Sequence, residues 1–84
     1  MKNNETLKKQ IIYRSSHRGS KEMDLLLGNF VKSCINFLNE EDLTDLNNIV
    51  SLDDETLKKW YFEDTQENLV PKNKISKLLK EFKF

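Results

Sequence analysis

Eighty-four residues make one domain, residues 1–84, and a chain this short buries only about 60–65% of the surface its unfolded form exposes, which leaves no room for a deep cleft between lobes. A third of the residues are charged and only two are glycine and one proline, the composition of a helical protein. No stretch approaches the ~20 apolar residues of a membrane span. Fourteen Lys and Arg balance fourteen Asp and Glu, whereas non-specific nucleic-acid binding draws its affinity from a positive excess that neutralises phosphate.

Five helices can be read in chain order. The first is expected over about Asn4–Tyr13, with Leu7, Ile11 and Ile12 on one side and Asn3 or Asn4 as a cap. Arg14 to Gly19 reads as a polar break. The longest helix is expected over about Ser20–Leu38: Met23, Leu26, Leu27, Phe30, Val31, Cys34, Phe37 and Leu38 recur at three- and four-residue steps and make one broad apolar face. Ser20 can cap it, and Glu22 and Asp24 sit in its first turn, where the helix dipole favours negative charge.

Asn39 reads as the cap of a third helix opened by Glu40, Glu41 and Asp42 and buried through Leu43, Leu46, Ile49 and Val50. A fourth begins at Asp53, with Leu52 and Leu57 spaced as a hydrophobic staple and with Leu57, Trp60 and Tyr61 pointing inward, Trp60 as a large core anchor. Glu63 to Leu69 is a polar linker. Pro71 suits the first position of a last helix carried by Ile75, Leu78, Leu79 and Phe82, with lysines 72, 74, 77, 80 and 83 around its exposed side. No period-two alternation or Asn-Gly turn competes with this reading. The fold class is all-α, a compact bundle of about five short helices.

The chemistry of catalysis is missing from the pattern. There is no GxGxxG or phosphate-binding loop, and one histidine with one cysteine does not make the usual zinc set. Cys34 falls on the apolar face of its helix and reads as a small buried hydrophobe; with no second cysteine to pair with, it fits a reducing compartment. The acidic pairs Glu40/Glu41 and Asp53/Asp54 lie at helix starts, where capping explains them. A small enzyme built on His17 has no evident partner residue to set the imidazole pKa. A helix-turn-helix type of nucleic-acid binder or regulator is the alternative to a protein-binding role, and the acidic centre of the chain, with ten acids against two lysines over residues 39–67, counts against it.

One segment, YRSSHRGSKEMDLLLG from Tyr13 to Gly28, is not accounted for by local stability. Arg18 and Glu22 are four apart with the base first, the weaker order for an intrahelical pair. Gly19, between them, allows either a close backbone approach or a positive φ. Gly28 stands inside a helix, at a cost of about 1 kcal/mol relative to Ala, and the sequence leaves open whether packing or a partner requires it.

RGSKE, from Arg18 to Glu22, resembles the RGxxE signature of the succinate dehydrogenase flavinylation factors, also called succinate dehydrogenase assembly factor 2. The lead-in IIYRS, the apolar second helix with Phe30, the helix from Leu43 to Val50 and the acidic turn DDETLKKW continue the resemblance, which covers roughly Ile11 to Phe82. It implies a bundle of five helices that binds the flavoprotein subunit of succinate dehydrogenase, and in some bacteria fumarate reductase, and promotes covalent attachment of FAD to that partner, itself neither catalysing the reaction nor holding FAD tightly. Arg18, Gly19 and Glu22 would form the partner-contact signature, flanked by Tyr13, Arg14, His17, Lys21 and Asp24. Ser16 and Ser20 depart from common forms of the family, where a basic residue and Met or Thr are frequent. The protein is expected to be a monomer without nucleic acid or membrane contact, in the cytoplasm of a bacterium or, in a eukaryote, the mitochondrial matrix; MKNNETLKKQ has no transit-peptide bias.

Overall fold

The computed structural model describes residues 4–63 and 70–82. Helix α1 spans Asn4–Ser16 and buries Ile11 and Ser15, with Leu7 packed on the same side. It runs a turn beyond the expected Tyr13, and the hydroxyls of Ser15 and Ser16 donate back to the Ile12 carbonyl at 2.9 and 2.8 Å, which closes the last turn. Ile12, expected on the apolar side, is exposed: it lies about 100° round the helix from the buried Ile11, beyond the edge of the face that packs on the core. Asn3 lies outside the described residues.

Ser20 caps α2, Lys21–Cys34, by accepting the Met23 N–H at 3.4 Å. Met23, Leu26, Leu27, Phe30 and Val31 are buried along it. The helix is shorter than its hydrophobic pattern suggests. After Cys34 the chain tightens into a 3₁₀ turn, Ile35–Phe37, whose three-residue repeat breaks the register of the apolar stripe. Ile35 stays in the core, but Phe37 is 85% exposed instead of buried.

Asn39 caps α3, Glu40–Val50, by accepting the Asp42 N–H at 2.7 Å, and Leu43, Leu46, Ile49 and Val50 are buried as expected. Asp53 occupies the cap position of the short α4, Asp54–Lys58, while Leu57 is buried and Leu52 packs on the core from the other side of the cap. The chain then widens into a π-helical turn, Lys59–Glu63. That widening displaces Trp60 and Tyr61 from the line set by Leu57, so Trp60 is a half-buried residue at the core's edge and not the central anchor expected of it. Lys80 sits 4.7 Å from its ring centre and donates to its carbonyl.

The last helix, α5, spans Lys74–Glu81. Pro71 does not open it. Asn73 and Ser76 exchange hydrogen bonds in a capping box, at 3.0 and 2.9 Å, and this fixes the cap two residues, and the first helical residue three residues, after the proline. Ile75 and Leu79 are buried, Leu78 is exposed, and Phe82 meets the Phe30 ring edge-on at 5.4 Å. Lys74 pairs with Asp42 at 3.0 Å. Residues 64–69 of the expected linker and Lys83 lie outside the described residues. One cluster of buried side chains draws on all five helices, and the described residues contain no strand. Among them no helix is long and apolar enough to cross a membrane.

Candidate functional site

The segment that local stability left unexplained is the turn between α1 and α2, and the structure packs it against the junction of α3 and α4. Arg18 makes that contact. Its Nε donates to Asp54 Oδ1 at 2.7 Å, and its terminal nitrogens donate to the carbonyls of Val50 and Leu52. Val50 closes α3, so the guanidinium lies at the negative end of that helix dipole. The Arg18 side chain is 8% exposed. It is therefore not the displayed cation that the sequence suggested; its charge is consumed inside the fold.

Asp54 answers it. One carboxylate oxygen takes Arg18 Nε and the other takes the Gly19 N–H at 3.0 Å. Asp24, in the first turn of α2, accepts the Arg18 N–H at 2.7 Å. Two consecutive backbone amides of the turn are thus held by carboxylates from two different helices. Arg14, one turn earlier, reaches Ser51 Oγ at 2.7 Å, so both arginines of the segment tie α1 and the turn to the same junction.

Gly19 and Glu22 remain at the surface. Gly19 does not have a left-handed φ, and a Cβ added there would meet Asp54 Oδ2 at 3.5 Å, an ordinary contact. Nothing in the fold itself demands glycine at this position. Glu22 faces Lys58 of α4, Nζ to Oε1 3.5 Å, with both groups largely solvated. Lys21 is exposed beside it.

Tyr13 and His17, four apart on α1, stack with ring centres 4.0 Å apart and planes 19° from parallel. His17 Nδ1 lies 2.9 Å from the Tyr13 carbonyl and 3.3 Å from Ser16 Oγ. That carbonyl accepts only, so the neutral ring carries its proton on Nδ1 and leaves Nε2 as an acceptor. The pair forms an exposed aromatic wall beside Gly19, and Tyr13, His17, Gly19 and Asp53 line one shallow depression. Of the eight residues singled out from sequence, Tyr13, His17, Gly19, Lys21 and Glu22 are surface groups, Arg14 is exposed but hydrogen-bonded to α3's end, and Arg18 and Asp24 are turned to internal work.

Asp54 was missed. Its place in a helix's first turn offered a sufficient local explanation, and no sequence signal ties it to a glycine 35 residues earlier. The described residues contain no group of three or more His, Cys, Asp and Glu side chains placed to hold a metal. Cys34 is half-buried, and burial pushes its thiol pKa up, the opposite of what an activated nucleophile requires.

Comparison with known proteins gives a consistent result. The model of the family described as the flavinator of succinate dehydrogenase matches residues 9–83. The FAD assembly factor SdhE of Acetobacter pasteurianus is 36% identical over 55 residues, covering 66% of this chain and 50% of that protein. The mitochondrial succinate dehydrogenase assembly factor 2 of Arabidopsis thaliana is 37% identical over 57 residues, 68% of this chain and 30% of that protein. The FAD assembly factor SdhE of Wigglesworthia glossinidia brevipalpis is 36% identical over 76 residues, 89% of this chain and 86% of that protein. The chain thus spans half the length or less of the first two of these relatives. No solved structure matches it. With nearly its whole length matched by the family model, the chain belongs to the flavinators of succinate dehydrogenase.

Proposed function

We propose that this protein is an assembly factor that docks on the flavoprotein subunit of succinate dehydrogenase through the α1–α2 turn and promotes covalent attachment of FAD to that subunit. It has no active site of its own in this reading and holds no FAD tightly. Its contribution is to bind the flavoprotein conformation competent for linkage better than the alternatives, which raises that conformation's population.

The observation that carries the site assignment is Gly19. Glycine costs conformational entropy wherever it stands, yet here the backbone is ordinary and a side chain would fit. A bare backbone at an exposed turn suits the close approach of another molecule, and Gly19, unlike Gly28 inside its helix, stands at such a turn. Glu22, exposed three residues on, supplies a carboxylate able to make charge-assisted hydrogen bonds to a basic group opposite. The stacked Tyr13 and His17 add a flat apolar wall with one nitrogen acceptor.

The test is in-gel flavin fluorescence of the denatured succinate dehydrogenase flavoprotein, which retains only covalent FAD, in cells lacking their own factor. The parent protein is expected to restore the signal, and Gly19→Arg, expressed at the same level, is expected not to. Full fluorescence with Gly19→Arg removes the turn from the site, and no fluorescence with the parent protein removes the function. Titration of the isolated protein with FAD by calorimetry is expected to show no sub-micromolar binding; such binding would make it a flavin carrier.

A further inference from the structure

We infer that Asp54 is a positioning residue for the docking turn: by accepting from Arg18 and Gly19 at once, it holds the Gly19 backbone in the one conformation that the flavoprotein recognises. The inference rests on the docking role proposed for the turn.

Asp54 belongs to α4, and the turn joins α1 to α2, so nothing in the local chain fixes one against the other. The link from α4 to the Gly19 backbone is the Asp54 carboxylate with both oxygens committed, Oδ1 to Arg18 Nε at 2.7 Å and Oδ2 to Gly19 N–H at 3.0 Å. Arg18 is independently clamped by the Val50 and Leu52 carbonyls. It therefore acts as a fixed post that orients the carboxylate, and the carboxylate in turn orients Gly19. A glycine needs such an external hold more than any other residue, because its own side chain restricts nothing. Fixing it beforehand removes an ordering cost that docking would otherwise have to meet.

Ionised carboxylate is the only side-chain group of this size that accepts at both ends. Asparagine has the same shape but one acceptor oxygen; its amide nitrogen is a donor and would face either the Arg18 Nε–H or the Gly19 N–H. Asp54→Asn therefore breaks one arm of the bridge while filling the same space.

The experiment compares the parent protein with Asp54→Asn and Gly19→Arg in two measurements. The first is hydrogen exchange at the Gly19 amide, which needs no partner. The second is affinity for the purified flavoprotein subunit of succinate dehydrogenase, at a temperature where melting curves show each variant fully folded. Asp54→Asn is expected to speed Gly19 exchange at least tenfold and to weaken flavoprotein binding at least tenfold, although the folded population is unchanged. Weakened binding with unaltered Gly19 exchange would make Asp54 a direct contact and overturn the positioning role. Faster exchange with unaltered affinity would overturn it equally. If Gly19→Arg also binds like the parent, the docking site itself is elsewhere and the inference falls with it; if Gly19→Arg alone fails to bind, the docking site stands and only the role of Asp54 is refuted. Should Asp54→Asn not melt cooperatively, Asp54→Glu keeps the charge and both oxygens one methylene farther out, and exchange and affinity must then change together by smaller factors or the inference fails.

Discussion

Glu22 and Lys58 face each other across the surface from α2 and α4, Nζ 3.5 Å from Oε1, with the carboxylate side chain 68% exposed. A solvated pair of this kind contributes about 0–1 kcal/mol, because water and salt screen it and two long side chains must be ordered to form it. Its structural value is small, which leaves Glu22 free to exchange Lys58 for a cation on a partner.

Glu22→Ala is accordingly expected to lower stability by less than about 1 kcal/mol while weakening flavoprotein binding about tenfold or more, equivalent to ~1.4 kcal/mol. Lys58→Ala is expected to leave binding unchanged or slightly tighter, since it releases Glu22 from a competing partner. Urea denaturation and calorimetric titration of the two variants check both halves. Equal losses of affinity would show that the pair acts as a unit.

Phe30 and Trp60 looked equivalent in the sequence and are not so in the structure. Phe30 is 3% exposed at the centre of α2 and touches the Phe82 ring, whereas Trp60 lies at the rim under Lys80. Phe30→Ala is expected to cost about 3–5 kcal/mol, enough to unfold much of a small domain near the low end of the usual 5–15 kcal/mol. Trp60→Ala leaves less of a cavity and is expected to cost about 1–2 kcal/mol. Denaturant midpoints of the two variants separate these outcomes.

The same contrast shows what a sequence of this kind makes legible. Periodicity located every helix, and the side-chain caps at Ser20 and Asn39 fell where a polar residue preceded an apolar run. What failed was the register at helix ends. Phe37 and Trp60 continue the spacing of the helices before them, but a 3₁₀ turn and a π turn change the repeat, and no composition cue marks either change. Pro71 was a plausible first residue until the reciprocal bonds of Asn73 and Ser76 set the start elsewhere. In the candidate site the surface members could be read from what local stability left unexplained. Arg18 could not be assigned to the interior, because two of its acceptors are backbone carbonyls, at residues 50 and 52, which carry no sequence signature, and the third is Asp54, 36 residues away.

Asp53 provides a prediction in pH. Its carboxyl pKa is held below the ordinary value, chiefly by the Thr56 hydroxyl, which donates to Oδ1 at 2.6 Å, and secondarily by backbone N–H donors. A depressed carboxyl favours the folded state above the unfolded-state pKa and loses that contribution as pH falls through the folded value. Thr56→Val removes the donor at similar volume. NMR titration is expected to show the Asp53 carboxyl shifting back upward in Thr56→Val, and the acid limb of the stability curve is expected to flatten in that region. Since Asp53 is fully exposed, the site pKa is the more sensitive readout.

Gly28 gives the sharpest sign. It lies in the middle of α2, where glycine is disfavoured relative to alanine by about 1 kcal/mol, because the unfolded chain has more freedom to lose. A glycine is usually retained in such a place because another helix crosses too closely for a methyl group. Here an added Cβ would meet nothing within 4 Å, and the backbone does not have a left-handed φ. Neither exception applies, so Gly28→Ala is expected to stabilise the protein by about 0.5–1 kcal/mol. The gain should appear as a higher urea midpoint with an unchanged slope, since a changed slope would signal a different extent of exposed surface. A lower midpoint would mean that α1 sits closer to this face in solution than the added methyl allows.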